Sequence, residues 1–229
     1  TVSAQAGTGG LFLSEADDLI VDTVATVVVN RVGLDGTTLT AQNHAAQADL
    51  VSGAALVVVT VNGALTVNGG GDATGVTAAG NILVQTGETG EGVEDNADDL
   101  VLNAGVVSTG GHISLNVADD LTQGADGDVT TQTAGKTVDV LVQGTILMVD
   151  GAVTTANGGD IAYRAVTGDL TVGEFVAGTG KVLLVATAGS LKDTTSDTST
   201  VDVTAAALLL VAGGNIGAGT DLIELQVGT

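Results

Sequence analysis

Apolar residues alternate with polar or small ones in short runs along this chain, and most runs end at glycine, aspartate or asparagine. Four runs are clearest: Ile113, Leu115 and Val117; Val138, Val140 and Val142; Ile161, Tyr163 and Ala165; Val182, Leu184 and Ala186. After each comes a second, shorter apolar run. Leu121 follows Asp119-Asp120, and Ile146 follows the second run. Leu170 and Val172 follow Gly168-Asp169, and Leu191 follows Gly189-Ser190. Period-two alternation predicts strands with one buried face. The Gly, Asp and Asn pairs supply the positive-φ or Asx conformations of tight corners, as Asn62-Gly63, Asn68-Gly69 and Asn157-Gly158 also do.

The runs recur. Ala16-Asp17-Asp18-Leu19, Ala97-Asp98-Asp99-Leu100 and Ala118-Asp119-Asp120-Leu121 are nearly one phrase; the last two begin 21 residues apart, and the first two 81 apart, close to four such periods. Gly111-His112-Ile113, Gly159-Asp160-Ile161 and Gly180-Lys181-Val182 form a second phrase, with Ile161 and Val182 again 21 apart. Asp160 and Lys181 thereby fall at the turn position of His112, which is predicted to face outward. Twenty residues are too few for a helical hairpin and suit one turn of a β-solenoid. The expectation is a single all-β domain over 1–229 with about 20–21 residues per turn and ten to twelve turns. At ~4.8 Å per turn that is a rod of about 50–55 Å. The N-terminal third is less regular. Leu19 to Val29 and Leu56 to Val61 are β-branched stretches, while Gln42 to Asp49, rich in Ala and Gln, reads as a short helix or a looped-out corner. Residues 86–99 read as an acidic surface insertion, and 192–200 as a second excursion.

Composition narrows the core. Phe12, Phe175 and Tyr163 are the only aromatics, so Val, Leu, Ile and Ala must fill the interior. Proline is absent, as expected where nearly every backbone N–H joins a ladder. Cysteine is also absent, which removes disulfides and thiolate metal sites. With 27 acidic and 5 basic residues the formal charge is −22. Nucleic acid and anionic membranes are poor partners for such a surface, and no apolar run is long enough to insert as a helix. Divalent cations are favoured.

The acidic clusters are therefore the candidate chemistry. Asp95, Asp98, Asp99, Asp119 and Asp120 are candidate calcium ligands, because calcium takes six to eight oxygens. The competing reading is that these aspartates turn corners. No nonapeptide calcium roll or EF-hand loop is present. His44 and His112 lack the neighbours of a metal site, and neither a G-x-S-x-G elbow nor a P-loop occurs. No catalytic residue is assigned and no other cofactor is expected. Carboxylate pairs on a β-helix also suit polysaccharide binding or cleavage, the alternative reading. One tyrosine, two arginines and three lysines give it few sugar-binding groups.

Gly110-Gly111-His112-Ile113-Ser114-Leu115-Asn116, Gly159-Asp160-Ile161, Gly168-Asp169-Leu170-Thr171 and Gly213-Gly214-Asn215-Ile216-Gly217 resemble the repeats of large bacterial exoproteins of the filamentous haemagglutinin type. The resemblance is one of repeat style and covers most of the chain. It implies a right-handed parallel β-helix in a secreted or surface-attached fibre, without catalysis. Both ends read as uncapped: Leu225-Gln226-Val227-Gly228-Thr229 runs into Thr1-Val2-Ser3-Ala4 without a change of style. The expected partners are copies of the same unit, end to end, and glycans at a cell surface.

Overall fold

A computed structural model describes residues 1–87, 98–194, 200–219 and 222–228. Strands account for all the regular structure among them, and outside one hairpin and its stem every pairing is parallel. The chain visits three sheets in turn and returns to the first. The first sheet has nine strands, from Ala4–Ala6 to Leu225–Val227; the second has eight, from Leu11–Glu15 to Ala207–Ala212; the third has seven, from Leu19–Val21 to Leu191–Asp193. Neighbours within each sheet are successive visits, as in Ile113↔Val138↔Ile161↔Val182. This is a parallel β-helix.

The alternating runs do what their period requires. Ile113–Val117, Val138–Val142 and Ile161–Ala165 each alternate buried and half-exposed residues. The buried ones stack into columns along the axis. Leu65, Leu100, Leu121, Ile146, Leu170 and Leu191 form one column in the third sheet. Each such side chain contributes about 1.5–3 kcal/mol when fully buried. In the outermost turns the columns are only partly covered: Val2, Ala4, Ala6 and Leu13 at one end, Leu208, Leu210, Ala212 and Ile223 at the other.

The coil is shorter than its repeat suggests. Among the described residues, eight turns and the first strand of a ninth replace the expected ten to twelve, so nine strands at ~4.8 Å spacing span about 38 Å. A 21-residue turn does occur, as Asp99 to Asp120 and Asp169 to Ser190 show, but Asp120 to Thr145 takes 25 residues and Asp18 to Ala64 takes 46. The 81 residues between the first two Ala-Asp-Asp-Leu phrases therefore hold two turns rather than four, Leu19↔Leu65↔Leu100. Chain is spent outside the coil instead.

Much of it builds an arm. Val27–Val32 and Leu39–His44 pair antiparallel with each other and with no other strand. The second half of this arm includes Gln42 to His44, where the sequence suggested a short helix or a corner. Leu19 to Val29 likewise divides between a coil strand, Leu19–Val21, and the arm. Local alternation cannot distinguish a hairpin leaving the coil from a strand inside it. The acidic insertion lies mainly outside the described residues, as does most of 192–200, although Leu191–Asp193 is a strand of the third sheet.

Candidate functional site

The acidic phrases lie at corners, and each member has a distinct place. Leu19, Leu100 and Leu121 open strands of the third sheet. The aspartate immediately before each leucine points along the axis. Asp18 Oδ1 accepts the backbone N–H of Ala64 (2.9 Å), Asp99 Oδ1 that of Asp120 (3.1 Å), and Asp120 Oδ1 that of Thr145. Farther along the same corner, Asp169 accepts from Ser190, and Ser190 Oγ accepts from Asn215. A short oxygen-bearing side chain here satisfies an N–H of the next turn that strand pairing leaves over, so Asp, Ser and Asn recur.

The corner before the second sheet uses the same device. Asn81 Oδ1 accepts the N–H of His112, His112 Nδ1 that of Thr137, and Asp160 Oδ1 that of Lys181. His112, Asp160 and Lys181 are exposed at equivalent register positions, as the sequence phrases implied. Glycines flank this corner because turns stack closely there. A Cβ at Gly159 would overlap the Lys136 carbonyl oxygen, and one at Gly180 the Gly159 carbonyl oxygen. At the corner before the first sheet, Asn103 donates to Asn68, which donates to Asp22, each at 3.0 Å.

Of the five candidate calcium ligands, Asp95 lies outside the described residues. Asp98 and Asp119 are buried at the corner, whereas Asp99 and Asp120 are half-buried. Asp99, Asp119 and Asp120 converge, with one carboxylate oxygen from each within 4.8 Å of the others. Asp98 is not among them. Burial pushes the Asp99 carboxyl above its usual range, the N–H of Asp120 pulls it back, and the charges of Asp120 and Asp98 raise it again.

A second cluster was not found from the sequence. Asp193, Asp202 and Glu224 meet within the same 4.8 Å, two of them buried. Burial pushes Asp202 up to about 7; the N–H of Glu224 opposes this, and the charges of Asp193 and Glu224 add to it. The three residues belong to successive turns, so no local motif marks them. The only signal is register: Asp193 closes a strand, and Asp202 and Glu224 each precede one.

A polar network among side chains crosses the interior. Tyr163 Oη lies 2.7 Å from Thr154 Oγ1 and donates to Gln123 Oε1 at 3.1 Å, while Gln123 Nε2 donates to the Val153 carbonyl. All three side chains are buried, and Phe175 meets the Tyr163 ring edge-on at 4.9 Å between centroids. Two of the three aromatics are thus core residues, and Phe12 alone is exposed.

Columns, stacked corners and three parallel sheets define a parallel β-helix protein. No protein-family model matches the chain, and no curated protein or solved structure does.

Proposed function

We propose that this chain is a structural segment of an extracellular bacterial filament or surface adhesin of the filamentous haemagglutinin type, whose units stack along the coil axis and which has no catalytic role. One observation carries the reading: three parallel sheets run through successive turns unbroken, so each turn is a template for the next. Half-covered columns in the outermost turns are surfaces on which turns of another copy would pack, and this supports stacking. The repeat-style resemblance supports the extracellular, cell-surface setting. Polysaccharide binding has less support, since Phe12 is the single exposed aromatic platform. Divalent cations fit as accessories: calcium would take oxygens from Asp99, Asp119 and Asp120, or from Asp193, Asp202 and Glu224, and offset the crowding of like charges.

Electron microscopy of the purified protein tests the stacking. Fibres with an axial repeat near the rod length, about 40 Å, are the expected result. Discrete particles at every concentration, monodisperse in sedimentation, would overturn it.

A further inference from the structure

The arm is the least explained part of the molecule. All twelve of its strand residues are exposed, and an isolated two-stranded hairpin gains little stability on its own. Val27, Val28 and Val29 make its base apolar and exposed, and a second apolar group sits at the tip. Val32 and Leu39 form the last rung and are 55% and 61% exposed; Leu34, in the turn, is fully exposed. The tip is nevertheless well formed. Gly33 donates to the Thr38 carbonyl at 2.7 Å, and Asp35 Oδ1 accepts the N–H groups of Thr37 and Thr38 at 3.0 and 2.8 Å. At the base, Val24 and Gln47 exchange both backbone bonds, and Thr23 donates to the Gly70 carbonyl. An anchored, ordered apolar knob is costly to leave in water and fits a docking role.

A receiving surface lies on the second sheet. Ala162, Leu183 and Leu209 are adjacent in register on three neighbouring strands and face outward. The small alanine leaves a shallow groove of about 380 Å³ lined by these residues. Two charged residues stand at its rim, Asp160 and Lys181. The arm carries the opposite set: Arg31 and Asp35 are the only charged residues between Val24 and Gln47, so the arm is neutral and the −22 belongs to the rest of the chain. Knob and groove are two apolar, charge-balanced patches on an otherwise acidic molecule. Contact through them brings few carboxylates together, whereas corner-to-corner contact would set carboxylate against carboxylate.

We infer that the arm of one copy docks into the second-sheet groove of another copy, with Leu34 entering between Ala162, Leu183 and Leu209, Arg31 facing Asp160 and Asp35 facing Lys181. Placement in the coil makes the contact one between different patches. The arm springs from the corner between the third and first sheets, and the second sheet is the side opposite that corner. Each copy therefore offers a knob on one flank and a groove on the other, which generates an open side-by-side array rather than a closed pair. This deepens the filament reading by adding lateral association, and it uses surfaces that axial stacking does not.

Complementation tests it. Leu34→Asp removes the knob and Leu209→Asp spoils the groove; both positions are exposed, so the fold is retained. Sedimentation should show lateral association of the wild type weakened about tenfold or more in either variant alone. An equimolar mixture should recover lateral pairing that stops at two units across, because each variant keeps the half that the other lacks. Single cysteines at Val32 and Leu209, in a chain with no native cysteine, should cross-link only when V32C and L209C are mixed. Cross-linking of V32C with itself, association of Leu209→Asp equal to wild type, or a mixture no larger than its components would overturn the inference. Fibres that persist in both variants without the mixed pair would also overturn it while leaving axial stacking intact.

Discussion

Ile161 and Asp160 are adjacent in the chain and have opposite surroundings. Ile161 is 1% exposed in a column between Val138 and Val182, whereas Asp160 faces solvent and accepts the N–H of Lys181 at 2.8 Å. Ile161→Asp would place a carboxylate in an apolar column with no partner, and should cost roughly 4 kcal/mol or more. Asp160→Ala should cost about 0.5–1.5 kcal/mol, the net contribution of one hydrogen bond. The aspartate is thus more than the solvated turn former that its sequence position suggests. Urea denaturation of the two variants checks the ranking, and a reversed order would mean a strand register off by one.

Strands and corners divide the work among elements. Strands bury alternate residues, and corners pass a side-chain oxygen to the next turn, so Asp, Asn, Ser and His can stand at equivalent positions. The apolar interior is interrupted where strands from the second and third sheets face each other through Tyr163 and Gln123. Burial raises the Tyr163 hydroxyl well above its ordinary range, and its bond with Thr154 opposes that shift, so the group stays neutral and acts as a hydrogen-bonding partner. Tyr163→Phe should destabilise by about 1–3 kcal/mol, because Gln123 Oε1 loses its donor while buried. Tyr163→Leu should cost more, since the edge-on contact with Phe175 goes as well. Thermal melts that leave Tyr163→Phe unchanged would mean that the hydroxyl contributes nothing to the network.

For the whole molecule, a charge of −22 on a narrow coil makes stability depend on protons and cations. Asp202 titrates near 7 in the folded chain against about 3.8 when free. Between those values the folded state holds a proton that the unfolded state has released, so stability falls as pH rises through this window. Asp99 and Asp128, also raised chiefly by burial, act in the same direction. Asp169, lowered by its bond to Lys192, acts in the opposite sense, but at pH below the normal carboxylate range. Chelator-treated protein should therefore have a lower urea midpoint at pH 8 than at pH 5, with a smaller difference in Asp202→Asn. Millimolar calcium should raise the melting temperature, and more at pH 8, where the carboxylates are charged. No calcium effect at either pH would leave the aspartates as corner formers.

The sequence by itself determined the clearest coil strands, their buried faces and the class of fold. Side-chain alternation is a local property, and glycine or aspartate at a bend acts within a few residues, so Ile161, Tyr163 and Ala165 could be assigned inward from the chain alone. It also indicated that His112, Asp160 and Lys181 share one corner, because each stands between a glycine and a β-branched residue that begins an alternating run. Only the tertiary structure decided how many turns there are, since a 21-residue period does not reveal that 46 residues separate Asp18 from Ala64. The arm had the same cause: a β-branched stretch such as Val27 to Val29 suits a coil strand and a free hairpin alike, and only pairing partners distinguish them. The gathering of Asp193, Asp202 and Glu224 and the burial of Gln123 likewise depend on which turn lies above which. Stacking register arises from contacts between residues distant in sequence, and no local pattern encodes it.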